Sequence, residues 1–235
     1  MRTLGILGGM SYHSTAVYYQ RVNAAVAARL GGHRSAPLII GSVDFQTVRD
    51  FQTAEDWDGA GEYLADWACR LEKAGAEGLL IATNLMHKVA PAVEAAIAIP
   101  LLHIADTVAA AARGRGLARL GLLGTAWTMR EDFYADRLAR HGIEVIRAAD
   151  ADADLADDVI FGQLTQGQVT LAARAALLGI TERLGLAGAE GVVLGCTELD
   201  LVLSEGASPL PLIDSTAAHT AAAAAFVLGE EAPAA

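Results

Sequence analysis

The sequence predicts an α/β fold of two pseudosymmetric lobes, each a parallel sheet flanked by helices, with a ligand cleft between them. Three observations carry that prediction. Short apolar runs alternate with helix-period segments along the chain, the pattern of parallel sheets covered on both faces. Ala74-Gly75-Ala76-Glu77-Gly78-Leu79-Leu80-Ile81-Ala82-Thr83 returns as Ala187-Gly188-Ala189-Glu190-Gly191-Val192-Val193-Leu194-Gly195-Cys196, 196 − 83 = 113 residues later. Leu4-Gly5-Ile6-Leu7-Gly8 returns as Leu120-Gly121-Leu122-Leu123-Gly124, 120 − 4 = 116 residues later. Two ordered echoes at nearly one offset imply a repeated unit.

The elements follow in order. Thr3–Leu7 reads as a buried strand, and Gly8-Gly9-Met10-Ser11 joins it to a helix over Ser14–Leu30, with Ser11, Ser14 or Thr15 available as cap. Leu38–Val43 is the second strand, Gly59–Ala74 a helix and Leu79–Thr83 the third strand. A helix over Lys88–Ala98 leads to a strand at Leu101–His103. The lobe boundary is expected near Asp106–Arg115, ahead of the second echo. Leu120–Leu123 opens the second lobe, and Thr128-Met129-Arg130-Glu131 reads as a capping box starting a helix. Ile143–Arg147 is a strand, Leu171–Leu184 a helix, and Val192–Cys196 and Pro211–Ile213 are strands. The last helix, Ser215–Leu228, is expected to cross back, giving a first lobe of residues 1–105 with 214–235 and a second of 106–213.

Composition excludes several classes. No apolar run reaches the roughly 20 residues of a membrane span, and the N-terminus enters a strand pattern directly, so neither a membrane anchor nor a signal peptide is expected. Two cysteines, Cys69 and Cys196, make no disulfide framework and suggest a cytoplasmic home. A net charge of −11 with scattered arginines argues against nucleic acid. Gly5-x-x-Gly8-Gly9 does not match the dinucleotide fingerprint, and the His and Cys spacings match no metal template.

In open α/β sheets, ligands bind beyond the carboxyl ends of the strands. Thr83, Cys196, Gly8-Gly9-Met10 and Gly124-Thr125 all fall there. Cys196 precedes Thr197-Glu198 at an expected helix start, which would favour its thiolate. Thr83 is its counterpart in the first echo; alone it would read as a helix cap. The N–H groups of Gly8-Gly9-Met10-Ser11 would suit a carboxylate. Asn84 is a carboxylate donor or a cap, and Glu198 and Asp214 either orient substrate or cap. His87 either reaches the site or lies on a helix face, His103 either supports the cleft or is a structural histidine, and Cys69 reads as packing.

Leu7-Gly8-Gly9-Met10-Ser11-x-x-Ser14-Thr15, Ser42-Val43-Asp44-Phe45, Ala82-Thr83-Asn84-x-Met86-His87, Leu102-His103-Ile104-Ala105-Asp106 and Leu194-Gly195-Cys196-Thr197-Glu198 together resemble the cofactor-independent aspartate/glutamate racemases. The resemblance implies an active site between two lobes and a homodimer acting on a small amino acid. It also implies a catalytic pair, one residue per lobe: Cys196 matches the second cysteine, and Thr83 replaces the first, as in a subgroup of amino-acid racemases. Met10, Gln52, Asn84, Leu85, Thr197 and Glu198 are the implied substrate contacts. Gln52 and Gln166 stand where aspartate-specific members often carry basic residues, and Leu85 replaces the usual Thr, so a neutral or larger side chain is expected to fit.

Racemisation without a cofactor needs an acid and a base on opposite faces of Cα. Lys73 and Lys88 are the only lysines, both in helical segments, so no pyridoxal site is evident and no cofactor is expected. Neighbouring classes remain open: a single-cysteine decarboxylase or isomerase of the same superfamily, or a non-catalytic amino-acid-binding module.

Overall fold

The computed structural model describes residues 1–230. The chain divides into two compact units, Met1–Ile104 together with the segment from His219 onward, and Ala105–Ala218. Residues 231–235, the end of the segment expected to return to the first lobe, lie outside the described residues.

The first unit holds β1 (Leu4–Gly8), α1 (Tyr12–Leu30), β2 (Leu38–Ser42), α2 (Phe45–Thr53), α3 (Trp57–Lys73), β3 (Gly78–Ile81), α4 (Ala90–Ala96) and β4 (Leu101–Leu102). Its sheet is parallel, in the order β2-β1-β3-β4. Strand alternation feeds two cores. Leu7, Leu79 and Ile81 pack with Val48, Leu64, Leu71 and Val93, while Leu4, Ile6, Leu80 and Ala82 pack with Tyr18, Val22, Ala223 and Phe226. Both sheet faces are therefore covered, which is why the strands read as unbroken apolar runs.

The second unit holds most of α5 (Ile104–Gly114), then β5 (Arg119–Leu123), α6 (Ala126–Arg130), α7 (Asp132–Ala139), β6 (Glu144–Ile146), α8 (Asp150–Gly162), α9 (Leu171–Leu186), β7 (Gly191–Leu194) and β8 (Leu212–Asp214). Its parallel sheet runs β6-β5-β7-β8, the order of the first. The last helix, α10 (Ser215–Leu228), begins in this unit and continues into the first from His219.

The echoes have a physical content. Leu4 pairs with Gly78, and Leu120 pairs with Gly191, so the two copies share one register. After α3 and α9 the chain turns identically: Ala76 N–H donates to Leu71 O (3.1 Å) and Ala189 N–H to Leu184 O (3.0 Å), with φ of 102° at Gly75 and 103° at Gly188. Such a helix-ending turn favours glycine. The echoed glutamates secure the neighbouring strand: Glu77 accepts from Thr3 N–H (2.6 Å), and Glu190 from Ala118 and Arg119 N–H (2.8 and 3.1 Å). The echo is thus a helix end, a turn and a strand start, closed by a carboxylate.

Four local expectations need correction. Thr128 does not open a helix; it lies buried within α6, whose cap position is Thr125, and Glu131 precedes α7. The Lys88–Ala98 helix is a 3-10 turn over Leu85–Val89 followed by α4, because Pro91 suits a helix start. The strands ahead of Thr83 and Cys196 end two residues earlier than expected, at Ile81 and Leu194. Three helices were not foreseen: α2, α5 and α8. The segment read as the lobe boundary is itself helix α5.

Candidate functional site

In the first unit, β1 delivers Gly8-Gly9 against two obstacles. A Cβ on Gly8 would meet the Thr15 side chain at 2.5 Å, and one on Gly9 would meet Val43 O at 2.2 Å. The glycines are there because the backbone is packed tightly. Gly9 N–H donates to Thr15 Oγ1 (2.8 Å), and Thr15 Oγ1 donates to Ser11 O (2.9 Å). The expectation of an open N–H cradle therefore fails at Gly9, whose donor is already satisfied from α1. Met10 is buried and joins the core cluster of Met86 and Val48.

Helix α2, capped by Asp44 through Gln46 N–H (3.2 Å), brings Gln52 to the same cluster. Buried Gln52 donates through Nε2 to Met86 Sδ (3.2 Å), while its Oε1 accepts from Arg49 Nη1 (3.1 Å). Arg49 was missed from sequence. The signal was its i, i+3 spacing to Gln52, visible only once this segment is known to be a helix.

Beyond β3 the chain bends sharply, Thr83 N–H donating to Ile81 O (2.9 Å). Thr83 and Leu85 are partly buried and Asn84 is buried. Thr83 caps no helix with its side chain: the cap position of the Leu85–Val89 turn is Asn84, which makes no side-chain cap bond either. Thr83 O lies 2.8 Å from His87 Nδ1.

In the second unit, β7 ends at Leu194, and Gly195 N–H donates to Leu123 O (2.7 Å) before Cys196, Thr197 and Glu198. Glu198 Oε2 accepts from Cys196 Sγ–H (3.0 Å) and from Thr197 Oγ1–H (2.7 Å). The expected helix start is only a 3-10 turn over Leu199–Leu201. Its short dipole does not rule the thiol. Desolvation first, and the Glu198 carboxylate second, push the Cys196 thiol well above its ordinary value. Cys196 keeps a partly open surface, so the carboxylate contact, fixed by its distance, is the firmer cause. The thiolate expected from sequence is therefore corrected to a thiol. Asp214 caps α10 through Thr216 and Ala217 N–H (2.8 and 3.0 Å), a structural role.

Met10, Gln52, Thr83, Asn84 and Leu85 thus belong to the first unit, and Cys196, Thr197 and Glu198 to the second. Cys69 Sγ–H points to Ala96 O (3.3 Å), consistent with packing. Gln166 is exposed and turns back to Phe161 O (3.3 Å). No described helix is long and apolar enough to cross a membrane.

A family model described as Asp/Glu/Hydantoin racemase matches residues 7–223. Among solved structures, a candidate Asp/Glu racemase from Yersinia pestis is 41% identical, with a TM-score of 0.93 over 97% of this chain and 100% of that one. An aspartate racemase homologue from Pyrococcus horikoshii OT3 is 32% identical, with a TM-score of 0.84 over 97% of this chain and 100% of that one. The broad specificity amino-acid racemase RacX of Bacillus subtilis (strain 168) is 24% identical over 217 residues, 91% of this chain and 93% of its own length.

Proposed function

We propose that this chain, which belongs to the Asp/Glu/Hydantoin racemase family, is a cofactor-independent amino-acid racemase that moves the Cα proton between Cys196 and Thr83 on opposite faces of the substrate. The observation that carries the reading is the Cys196–Glu198 contact at 3.0 Å. A thiol held above its ordinary range is an acid at neutral pH, not a base. To act as base it must first lose its proton, and Glu198 Oε2 is the acceptor in place. Cys196 Sγ–H passes its proton to Glu198, and the thiolate takes the Cα proton on its own face. Thr83 delivers a proton to the other face; its hydroxyl is recharged from solvent, and Glu198 releases the thiol proton to solvent, so the enzyme returns to its starting state. In reverse each proton retraces its path.

Glutamate and aspartate are the first substrates to try, L forms ahead of D, since the family resemblance assigns the cysteine to the L face. Arg49 against Gln52 supports an acidic side chain, because it sets a guanidinium beside an expected substrate contact. The same resemblance implies a homodimer, and the two free cysteines suit a cytoplasmic home.

The test is proton NMR in deuterium oxide with a panel of amino acids. Loss of the Cα signal together with inversion is expected, and Cys196→Ser should abolish both while the fold persists. Carbon dioxide release without inversion, or saturable binding without exchange, would overturn the reading. So would a Cys196→Ser enzyme that keeps most of its turnover.

A further inference from the structure

Behind Thr83 lie three histidines that the proposed chemistry does not use. His87, His103 and His219 are 2%, 4% and 0% exposed, so water does not solvate them. The His87 ring centroid lies 4.5 Å from that of His103 and 5.7 Å from that of His219. Burying imidazoles is costly unless their nitrogens are bonded.

The backbone dictates their tautomers. Ile104 N–H can only donate, and it points at His87 Nε2 (3.2 Å), so Nε2 carries a lone pair. The ring proton is therefore on Nδ1 and is donated to Thr83 O (2.8 Å). His219 is fixed the other way: Nε2–H donates to Leu102 O (2.7 Å), and Nδ1 accepts from Tyr18 O–H (2.9 Å). Each of these two rings is neutral with both nitrogens engaged, so neither has a lone pair left for a metal. Burial first, then the nearness of His103 and His219, disfavours a charge on His87 and holds it well below the ordinary histidine range.

We propose that His87 is a positioning residue for Thr83: its Nδ1–H fixes the Thr83 carbonyl while Ile81 O fixes the Thr83 N–H, so the hydroxyl is aimed by a residue whose two flanking peptide groups are both held. This rests on the racemase reading. His87 N–H closes the turn onto Asn84 O (3.1 Å), which leaves Thr83 O to the ring. The single imidazole proton is spent on that carbonyl. His87 is therefore not the donor that recharges the Thr83 hydroxyl; its part is geometric. Misplacing a reacting group by about 1 Å can cost on the order of 100-fold.

The experiment uses the full chain and separates the two faces. Exchange of the Cα proton with retention reports Cys196, whereas inversion needs Thr83 as well. His87→Leu removes the donor. His87→Asn keeps one at the Nδ1 position, and His87→Gln moves it to the Nε2 position, away from Thr83. Inversion is expected to fall about 100-fold in Leu and Gln, with retentive exchange of the L enantiomer falling about threefold or less, and Asn should recover most of the inversion. Circular dichroism checks each fold; if Leu does not fold, the contrast of Asn with Gln decides. Exchange and inversion falling in parallel, or Asn and Gln behaving alike, would overturn the proposal. A wild-type chain showing neither exchange nor inversion on the panel would remove the racemase reading, and His87's role with it.

Discussion

At the scale of single residues, Glu198 governs Cys196 in two opposed ways. Its charge disfavours the thiolate, yet its oxygen is where the thiol proton goes. Glu198→Gln separates these effects. Removing the like charge lowers the thiol pKa, so alkylation of Cys196 by iodoacetamide, in a Cys69→Ser background, should reach half its maximal rate at a lower pH. Turnover should nevertheless fall about 100-fold, as expected for loss of a proton acceptor. An alkylation profile moving to higher pH would show that Glu198 stabilises the thiolate. The echo made Cys196 legible in the sequence, since a strand-end position recurs with a reactive atom in it. Its protonation state was not legible. That depends on the Glu198 side chain folding back over two residues, and no periodicity records a rotamer. Arg49 escaped notice for a related reason: its partner is defined only by a helix that the motif reading had not assigned.

At the scale of elements, the sequence signalled strands better than helices. All eight expected strands formed, with ends shifted by one or two residues; the central strands β1, β3, β5 and β7 are buried nearly throughout, and runs buried on both faces have few other places to go. The three unforeseen helices lack such a signal. Helix α2 hides in a polar stretch with one strong cap at Asp44. Helix α8 carries Asp150, Asp152, Asp154, Asp157 and Asp158 among small residues. Its Asp152 is held by Arg183 of α9 (2.5 Å), a pairing distant in sequence. Helix α5 carries five alanines in eleven residues and falls in the segment read as the lobe boundary. The twin turns after α3 and α9 support a further prediction. A Cβ on Gly75 would meet nothing within 4 Å, and one on Gly188 would meet only the flexible end of Arg119 (3.1 Å). Crowding is thus minor, and the positive φ alone sets the cost. Gly75→Ala and Gly188→Ala should each destabilise by about 1–2 kcal/mol in urea unfolding. A gain in stability at either position would contradict the turn geometry.

At the scale of the whole molecule, stability should depend on pH through the buried imidazoles. His219 is lowered to about 4 by burial, and His87 also lies well below its ordinary value. The unfolded chain binds protons near pH 6.5 while the folded chain does not, so unfolding gains protons and stability falls with pH. The loss begins below about pH 6.5 and accumulates down to about pH 4, where His219 alone accounts for roughly 3 kcal/mol. The Asp106 carboxyl acts in a lower window, because hydrogen bonds from Arg137 and His141 outweigh its desolvation and hold it below the usual range. Urea titrations at half-unit steps check this; a flat stability from pH 7 to 4.5 would mean that the rings reach water in the folded state.

Helix α10 carries one more consequence. Its last ten residues complete a core of the unit that begins at Met1, with Ala223, Ala224, Phe226 and Val227 packing with Leu4, Ile6 and Leu80. A cut after Ile104 would therefore divide the chain unequally. The C-terminal fragment would keep a contiguous unit, whereas the N-terminal fragment would lose one of the two helices that cover this side of its sheet, keeping α1 but not α10. The first half of the chain is not a self-sufficient module: α1 covers part of that face through Tyr18, Val22 and Val26, and the rest is covered only once α10 has been made.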